Sequence, residues 1–222
     1  MCIAGRQSEG RGRMGRSFHS PDGKGVYLSA VLRPNCVPGQ LMHLTCAVAV
    51  AMCDAVENAC GFRPQIKWTN DLVIGRKKLG GILTEISVNA KSGLVDYAII
   101  GIGINCLHIA EDFPDDIRGI ATSLLLATGK KIPPALLAAK MVQSLEEMYG
   151  NLLSKKANII DRYRDNCMTI GQEISIVRAN DVQHANALDV GADGQLIVKN
   201  ACGEIIEVSS GEVSVRGMYG YV

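Results

Sequence analysis

Residues 64–88 read PQIKWTNDLVIGRKKLGGILTEISV, and the fold class turns on how this stretch divides. Its apolar residues fall in short runs broken by turn formers, the texture of strands, with no sustained 3.6-residue period. Gly75 marks a tight turn within it, so the stretch predicts two or three short strands. Downstream, KSG at 91–93 turns the chain into LVDYAIIGIGIN, residues 94–105. That run is apolar enough to predict a central strand buried on both faces. Upstream, VYLSAVL at 26–32 is a strand that Pro34, Pro38 and Gly39 break. The small and apolar residues from 40 to 60 predict one long helix, stopped by Gly61.

Further along, Pro133 and Pro134 suit the start of a helix running through ALLAAKMVQSLEEMYGNLL. A second helix is expected over about residues 157–167. From residue 171 the texture changes to short alternating strands, EISIV, QLIVK, EIIEVSS and EVSVR. Asp193-Gly194 is a hairpin signal and Gly203 a turn. The pattern predicts a small β-barrel appended to an α/β domain.

Composition narrows the function. Lys+Arg number 23 against 22 Asp+Glu in 222 residues, so no global field draws the chain to nucleic acid or an anionic membrane. Apolar runs such as 97–104 are short for a bilayer span, and the start carries no basic-then-apolar leader. The cytoplasm is the default expectation. The eight cysteines form no CxxC pair. Cys46, Cys53 and Cys60 recur every seven residues on one predicted helix, about 10 Å apart, too far to share a metal ion. They read as a buried stripe of small side chains, and His43 lacks the further ligands a metal would need.

Against this balanced background, EGRGRMGRSF at 9–18 concentrates Arg11, Arg13 and Arg16 among Gly10, Gly12 and Gly15, with Arg6 just upstream. Three readings stay open on these residues: a solvated loop, an arginine–glycine contact to nucleic acid, and a cradle for a small phosphate ligand. Nucleic acid is disfavoured, because no aromatics are interleaved and the chain is not basic. KWTND at 67–71 adds Lys67, Asn70 and Asp71 at a strand end, and the next strand adds Lys78. A cation, an amide and a carboxylate converging there suit a phosphate with Mg²⁺; an Asx turn with ordinary strand-end lysines is the plainer reading. GIGIN ends the buried strand at Asn105, as a nucleotide contact or a simple strand exit.

Taken together, RQSEGRGRMGRSFHSPDGKGVYLSAVLRP, KWTNDLVIGRKKLGGILTEI and IIGIGIN, in this order, closely resemble the biotin protein ligases (biotin–acetyl-CoA-carboxylase ligases). The terminal SSGEVSVRGMYGYV resembles the end of that family's small C-terminal barrel. The resemblance implies a mixed-sheet ligase domain of the biotin/lipoate ligase type over residues 1–168 and an SH3-like β-barrel over 169–222. It implies ATP-dependent activation of biotin as biotinyl-5′-AMP, with ATP and Mg²⁺, and transfer to a lysine on the biotin carrier domain of a carboxylase or decarboxylase. No nucleic-acid or membrane partner is expected, and a homodimer is left open.

The resemblance also assigns residues. Gln7 and the segment Gly10, Arg11, Gly12 and Arg13 fall where the family contacts biotin and its adenylate, with Arg13 guarding the intermediate. Lys78 matches a lysine bonded to biotin and the adenylate, and Lys67 one that neutralises the α-phosphate. Asn70, Asp71 and Asn105 match nucleotide contacts, with Asp71 also toward Mg²⁺ or as a base for the acceptor lysine. Phe18 stands where many relatives have tryptophan, and Thr69 where many have proline. The chain opens at MCIAGRQ, without the helix and Ser/Thr-Thr-Asn strand that line the family's biotin pocket, so weak biotin binding is expected of this form. The DNA-binding segment of bifunctional relatives is likewise not in this sequence. A lipoate-type ligase, or a non-catalytic homologue that binds only nucleotide or carrier, is the alternative.

Overall fold

The computed structural model describes residues 1–178, 181–209 and 213–217. Strands β1 (Cys2–Ala4) and β2 (Gly25–Leu32) precede the long helix α1 (Leu44–Cys60). Three strands follow, β3 (Gln65–Lys67), β4 (Asp71–Ile74) and β5 (Lys77–Val88), and then β6 (Val95–Asn105). They form one six-stranded sheet in the order β1-β2-β6-β5-β4-β3. The expected mixed sheet is antiparallel in every ladder among the described residues: β3 to β6 follow one another through hairpins, and β2, joined to β3 through α1, pairs antiparallel with β6. Among the described residues, parallel pairing is confined to isolated bridges, Ile66 with Cys167 and Lys78 with Ala121. The turn at Gly75 spans two residues, with φ of 56° at Gly75 and 63° at Arg76, both positive as a type I′ turn requires.

One face of the sheet carries the core. Ala98, Ile100, Ile102 and Ile104 of β6 are buried against helices, whereas Tyr97, Ile99 and Gly101 are half-exposed on the opposite face. The expectation of burial on both faces is therefore corrected, since helices cover only one side. Helix α1 is apolar almost all round and correspondingly enclosed. Gly61 closes it in the left-handed conformation, with its N–H donated to Glu57 O at 2.7 Å. By length and composition, residues Pro38–Cys60 would cross a membrane, but most of that window lies inside the fold. Cys46, Cys53 and Cys60 are buried there as free thiols, the first two pushed up to about 12 by loss of solvation.

The connection from β6 carries short helices α2 (Asp115–Arg118) and α3 (Leu124–Thr128). Helix α4 (Pro134–Asn151) begins at the proline pair as expected and packs on α1, and α5 (Lys156–Asn166) follows. The C-terminal strands β7 (Glu173–Arg178), β8 (Asp181–Val190), β9 (Leu196–Asn200), β10 (Ile205–Val208) and β11 (Val213–Gly217) form a second antiparallel sheet, ordered β10-β9-β8-β7-β11. No ladder joins β10 to β11 among the described residues. Its inward residues, including Ile174, Ala187 and Val198, continue the same hydrophobic core as α1. Of the terminal motif, residues 210–212 and 218–222 lie outside the described residues.

Candidate active site

Sheet register assembles the polar end of the site. Tyr27 lies opposite Gly103, Gly103 opposite Gly81, Gly81 opposite Asp71, and Asp71 opposite Lys67. Directly opposed residues share a face, so this row puts Asp71 and Lys67 beside two glycines on the side away from the helices. Lys78 lies three residues before Gly81, which a regular strand would place on the other face. A register shift in the β4–β5 pairing re-aims it, and its Nζ donates to Asp71 Oδ1 at 2.6 Å. A parallel bridge steadies Lys78 from outside: its N–H donates to Ile120 O and its carbonyl accepts from Thr122 N, both at 2.8 Å. The glycines leave room over the sheet. A Cβ at Gly103 would run into the Phe18 ring, which instead lies against that glycine and meets Tyr27 edge-on.

Over this face folds the arginine-rich loop. It is a small hairpin, with Gly12 N donating to Arg16 O at 2.7 Å and Phe18 N to Gly10 O at 2.8 Å. Its tip is one 3-10 turn, Arg13–Gly15, in which Met14 takes φ of 56° and Gly15 φ of 72°. Arg13 Nη1 reaches down to Asn70 Oδ1 at 3.2 Å, while Asn70 Nδ2 donates to Ile82 O at 2.8 Å. Between loop and sheet lies a cleft of about 780 Å³. Arg11, Arg13, Arg16, Lys67 and Lys78 line it against Glu9, Asp71 and Glu85, an excess of two positive charges in a chain that is +1 overall. Leu83 and Ile99 add an apolar wall on this face, and Trp68, Leu28 and Ile102 also border the space.

Burial lowers the Arg13 pKa, and the facing Asp71 carboxylate opposes that effect; a guanidinium stays charged regardless. Lys67 is 8% exposed, so its ammonium is delivered to the cleft from a nearly closed position. No histidine or cysteine among the described residues lines the space. The arrangement can bind an anion, neutralise developing negative charge and exclude water, and it seats an apolar body beside those charges.

Most predicted site residues meet here. Gln7, Arg11, Gly12, Arg13, Lys67, Asn70, Asp71 and Lys78 all border the cleft, and so does Arg16. Gly10 and Asn105 do not. A side chain at Gly10 would collide with Phe18 O, so glycine lets the hairpin strands close. Asn105 is buried and donates through Nδ2 to Thr122 O at 3.0 Å, tying down the segment that bridges Lys78. The reading of charges alone passed over the apolar wall and Glu85. The two-residue period of β5 and β6, which puts 83 and 85 with 99, 101 and 103, was the signal that could have found them.

The model of the biotin/lipoate A/B protein ligase family matches residues 1–105, and that of the biotin protein ligase C terminal domain matches residues 169–216. The chain resembles the biotin protein ligases over both matched segments. A bifunctional ligase/repressor BirA of Bacillus subtilis is 36% identical over 200 residues, covering 90% of this chain and 61% of that protein. This chain therefore spans about three fifths of that relative's length. A biotin--[acetyl-CoA-carboxylase] ligase of Mycobacterium tuberculosis is 28% identical, over 96% of this chain and 77% of its own length. Among solved structures, the biotin protein ligase from Aquifex aeolicus in complex with biotin and ATP superposes with a TM-score of 0.81 at 28% identity, covering 97% of this chain and 88% of that one. The fold is the family's, with the C-terminal sheet as its SH3-like unit.

Proposed function

We propose that this chain is a biotin--[biotin carboxyl-carrier protein] ligase. The observation that carries the reading is the Arg13–Asn70 contact, which closes an arginine–glycine loop over a cleft lined by cations and an apolar wall. In the first half-reaction a biotin carboxylate oxygen bonds to the α-phosphorus of ATP, and the bond to the β-phosphate bridging oxygen breaks, releasing pyrophosphate. Lys67 neutralises charge that builds on the α-phosphate, and Lys78 holds the carboxylate end of biotin. Gln7, Gly10, Arg11 and Gly12 shape the binding loop, and Arg13 retains the adenylate away from water. In the second, a carrier lysine amine attacks the acyl carbon, the acyl–phosphate bond breaks, AMP leaves and a proton is released.

Asn70 and Asp71 belong to the nucleotide side in this reading, and Asn105 supports that side from outside the cleft through Thr122. Mg²⁺ usually keeps its waters and is held by one or two carboxylates with substrate phosphates, and Asp71 in the cleft supplies a carboxylate of that kind. A lone carboxylate beside a phosphate site suits an ion held mainly by phosphate oxygens and water. The ion would screen phosphate charge; Asp71 would orient it, with Lys78 sharing the same carboxylate.

Residues 1–168 form the catalytic unit and 169–222 the C-terminal unit. The partner is the biotin carrier domain of a biotin-dependent carboxylase or decarboxylase, and the enzyme works in the cytoplasm, where MgATP is available. Incubation with MgATP, biotin and such a carrier domain, followed by streptavidin detection, tests the reading. Carrier labelling that requires ATP is expected; no labelling at any carrier concentration would contradict it.

A further inference from the structure

The turn that presents Lys67, Asn70 and Asp71 is held from behind by parts of the chain that never enter the cleft. Trp68 N donates to Thr169 Oγ1 at 2.9 Å, and the Trp68 indole Nε1 donates to Gly194 O at 2.9 Å. Thr69 O accepts from Tyr163 Oη at 2.9 Å, and Ile66 O accepts from Met168 N at 2.9 Å. Four bonds thus run from α5, the link after it and the β8–β9 hairpin to residues 66–69. Thr169 and Tyr163 are buried, so these bonds form away from competing water.

The hairpin tip is itself fixed. Gly194 has φ of 85°, and a Cβ there would lie 2.7 Å from Cys46 Sγ of α1. Asp193 pairs with Lys156 of α5, and Arg164 Nε donates to Val190 O at 2.7 Å. A tip wedged between two helices presents its Gly194 carbonyl in a set place. The residue it holds, Trp68, borders the cleft between Lys67 and Asn70.

We infer that Thr169 and Gly194 are positioning residues of the nucleotide side, and that the C-terminal sheet acts on the reaction by setting the Lys67–Asp71 turn through Trp68. The inference rests on the proposed adenylation. It separates the two substrates: biotin's apolar body lies toward Leu83 and Ile99, away from the braced turn. A loosened turn misplaces Lys67 and Asp71 against the phosphates, and small misplacements of this kind carry large kinetic effects.

The test compares Thr169→Val with Thr169→Ser, the latter restoring the acceptor, and adds Gly194→Ala as a second break. Two measurements are made on the full chain: biotin-dependent pyrophosphate release, and calorimetric affinity for α,β-methylene-ATP at saturating biotin. Thr169→Val should raise KM for ATP and weaken the analogue about tenfold, with KM for biotin within about twofold, and Thr169→Ser should recover most of the loss. Gly194→Ala should show the same split. Equal changes for both substrates, no change in a folded Thr169→Val, or no recovery with Thr169→Ser would overturn the inference. If the parent binds the analogue but releases no pyrophosphate, the ligase reading fails while the affinity split still decides the positioning role. A parent that binds no analogue overturns both.

Discussion

The arginine–glycine loop and the Lys67–Asp71 turn face each other across the cleft, and they are built on opposite plans. The loop is bonded mostly to itself, through Gly12 to Arg16 and Gly10 to Phe18, and touches the far side through Arg13 at Asn70. The turn is tied in front to β5, where Ile82 N donates to Asn70 O at 2.9 Å, and behind to Thr169, Tyr163 and Gly194. The hairpin can lift by giving up Phe18's packing on Gly103 and the Arg13–Asn70 bond, whereas the turn cannot move without opening several buried bonds. The difference assigns charge placement to the turn and coverage to the loop.

Breaking the turn's chemistry gives the largest expected effect. Lys67→Ala should slow adenylate formation by about 2–4 kcal/mol of barrier, as removal of one preorganised charge-stabilising group does. Single-turnover pyrophosphate release reads this directly, and a loss below threefold would place Lys67 outside the α-phosphate.

Acid sharpens the comparison, because it strikes the loop's far anchorage. His19, just past the hairpin, donates through Nε2 to Asp112 O at 2.8 Å, and Asp112 pairs with Lys24 at 3.1 Å. Behind them His108 is fully buried, stacked on Phe113 at 4.9 Å, with neither ring nitrogen in a hydrogen bond of normal geometry among the described residues. Burial lowers its pKa from 6.5 to about 4, with Asp112 opposing and His19 and Lys24 reinforcing the shift. The folded state therefore keeps His108 neutral where the unfolded chain takes up a proton. Stability is unaffected above pH 6.5 and falls as pH drops toward 4, by on the order of 3 kcal/mol in all. Urea midpoints between pH 7.5 and 4 check this, and His108→Phe should flatten the slope.

Freeing the loop gives a smaller energetic effect with a distinctive product. Arg13→Gly loses the bond to Asn70, worth about 1 kcal/mol, so adenylate formation should drop less than tenfold. The adenylate should then escape and acylate bystander lysines, giving label on proteins other than the carrier. Retained selectivity would remove the guarding role. The smallest effect concerns stability alone. Thr69 is buried in the turn with a hydroxyl that finds no partner among the described residues, so Thr69→Val should raise the denaturation free energy by about 1 kcal/mol.

Features set by local residue chemistry were legible in the sequence. Gly75 gave the hairpin turn, Pro133-Pro134 the start of α4, Gly61 the end of α1, and the three motifs converge on one cleft. Features set by pairing were not. The register shift that turns Lys78 toward Asp71 depends on how two strands align, and neither strand announces it. Strand β8 was missed because Asp181, Val182, Gln183 and His184 are all exposed, leaving little apolar alternation beyond Ala185 and Ala187. Residues 97–104 suggested burial on both faces, since Ile99 is as apolar as Ile100. Only the assembled sheet shows that one side faces the cleft. The braces on Trp68 come from residues about 100 and 126 positions away, a separation no local pattern records.

The most direct test of the account is to quench a single turnover of the full chain with biotin and MgATP and weigh the products by mass spectrometry. Biotinyl-5′-AMP appearing in step with pyrophosphate, and remaining bound to the protein until a carrier lysine is supplied, is the result the account predicts. ADP as the nucleotide product, or ATP and biotin recovered unchanged from a protein that binds both, would contradict it.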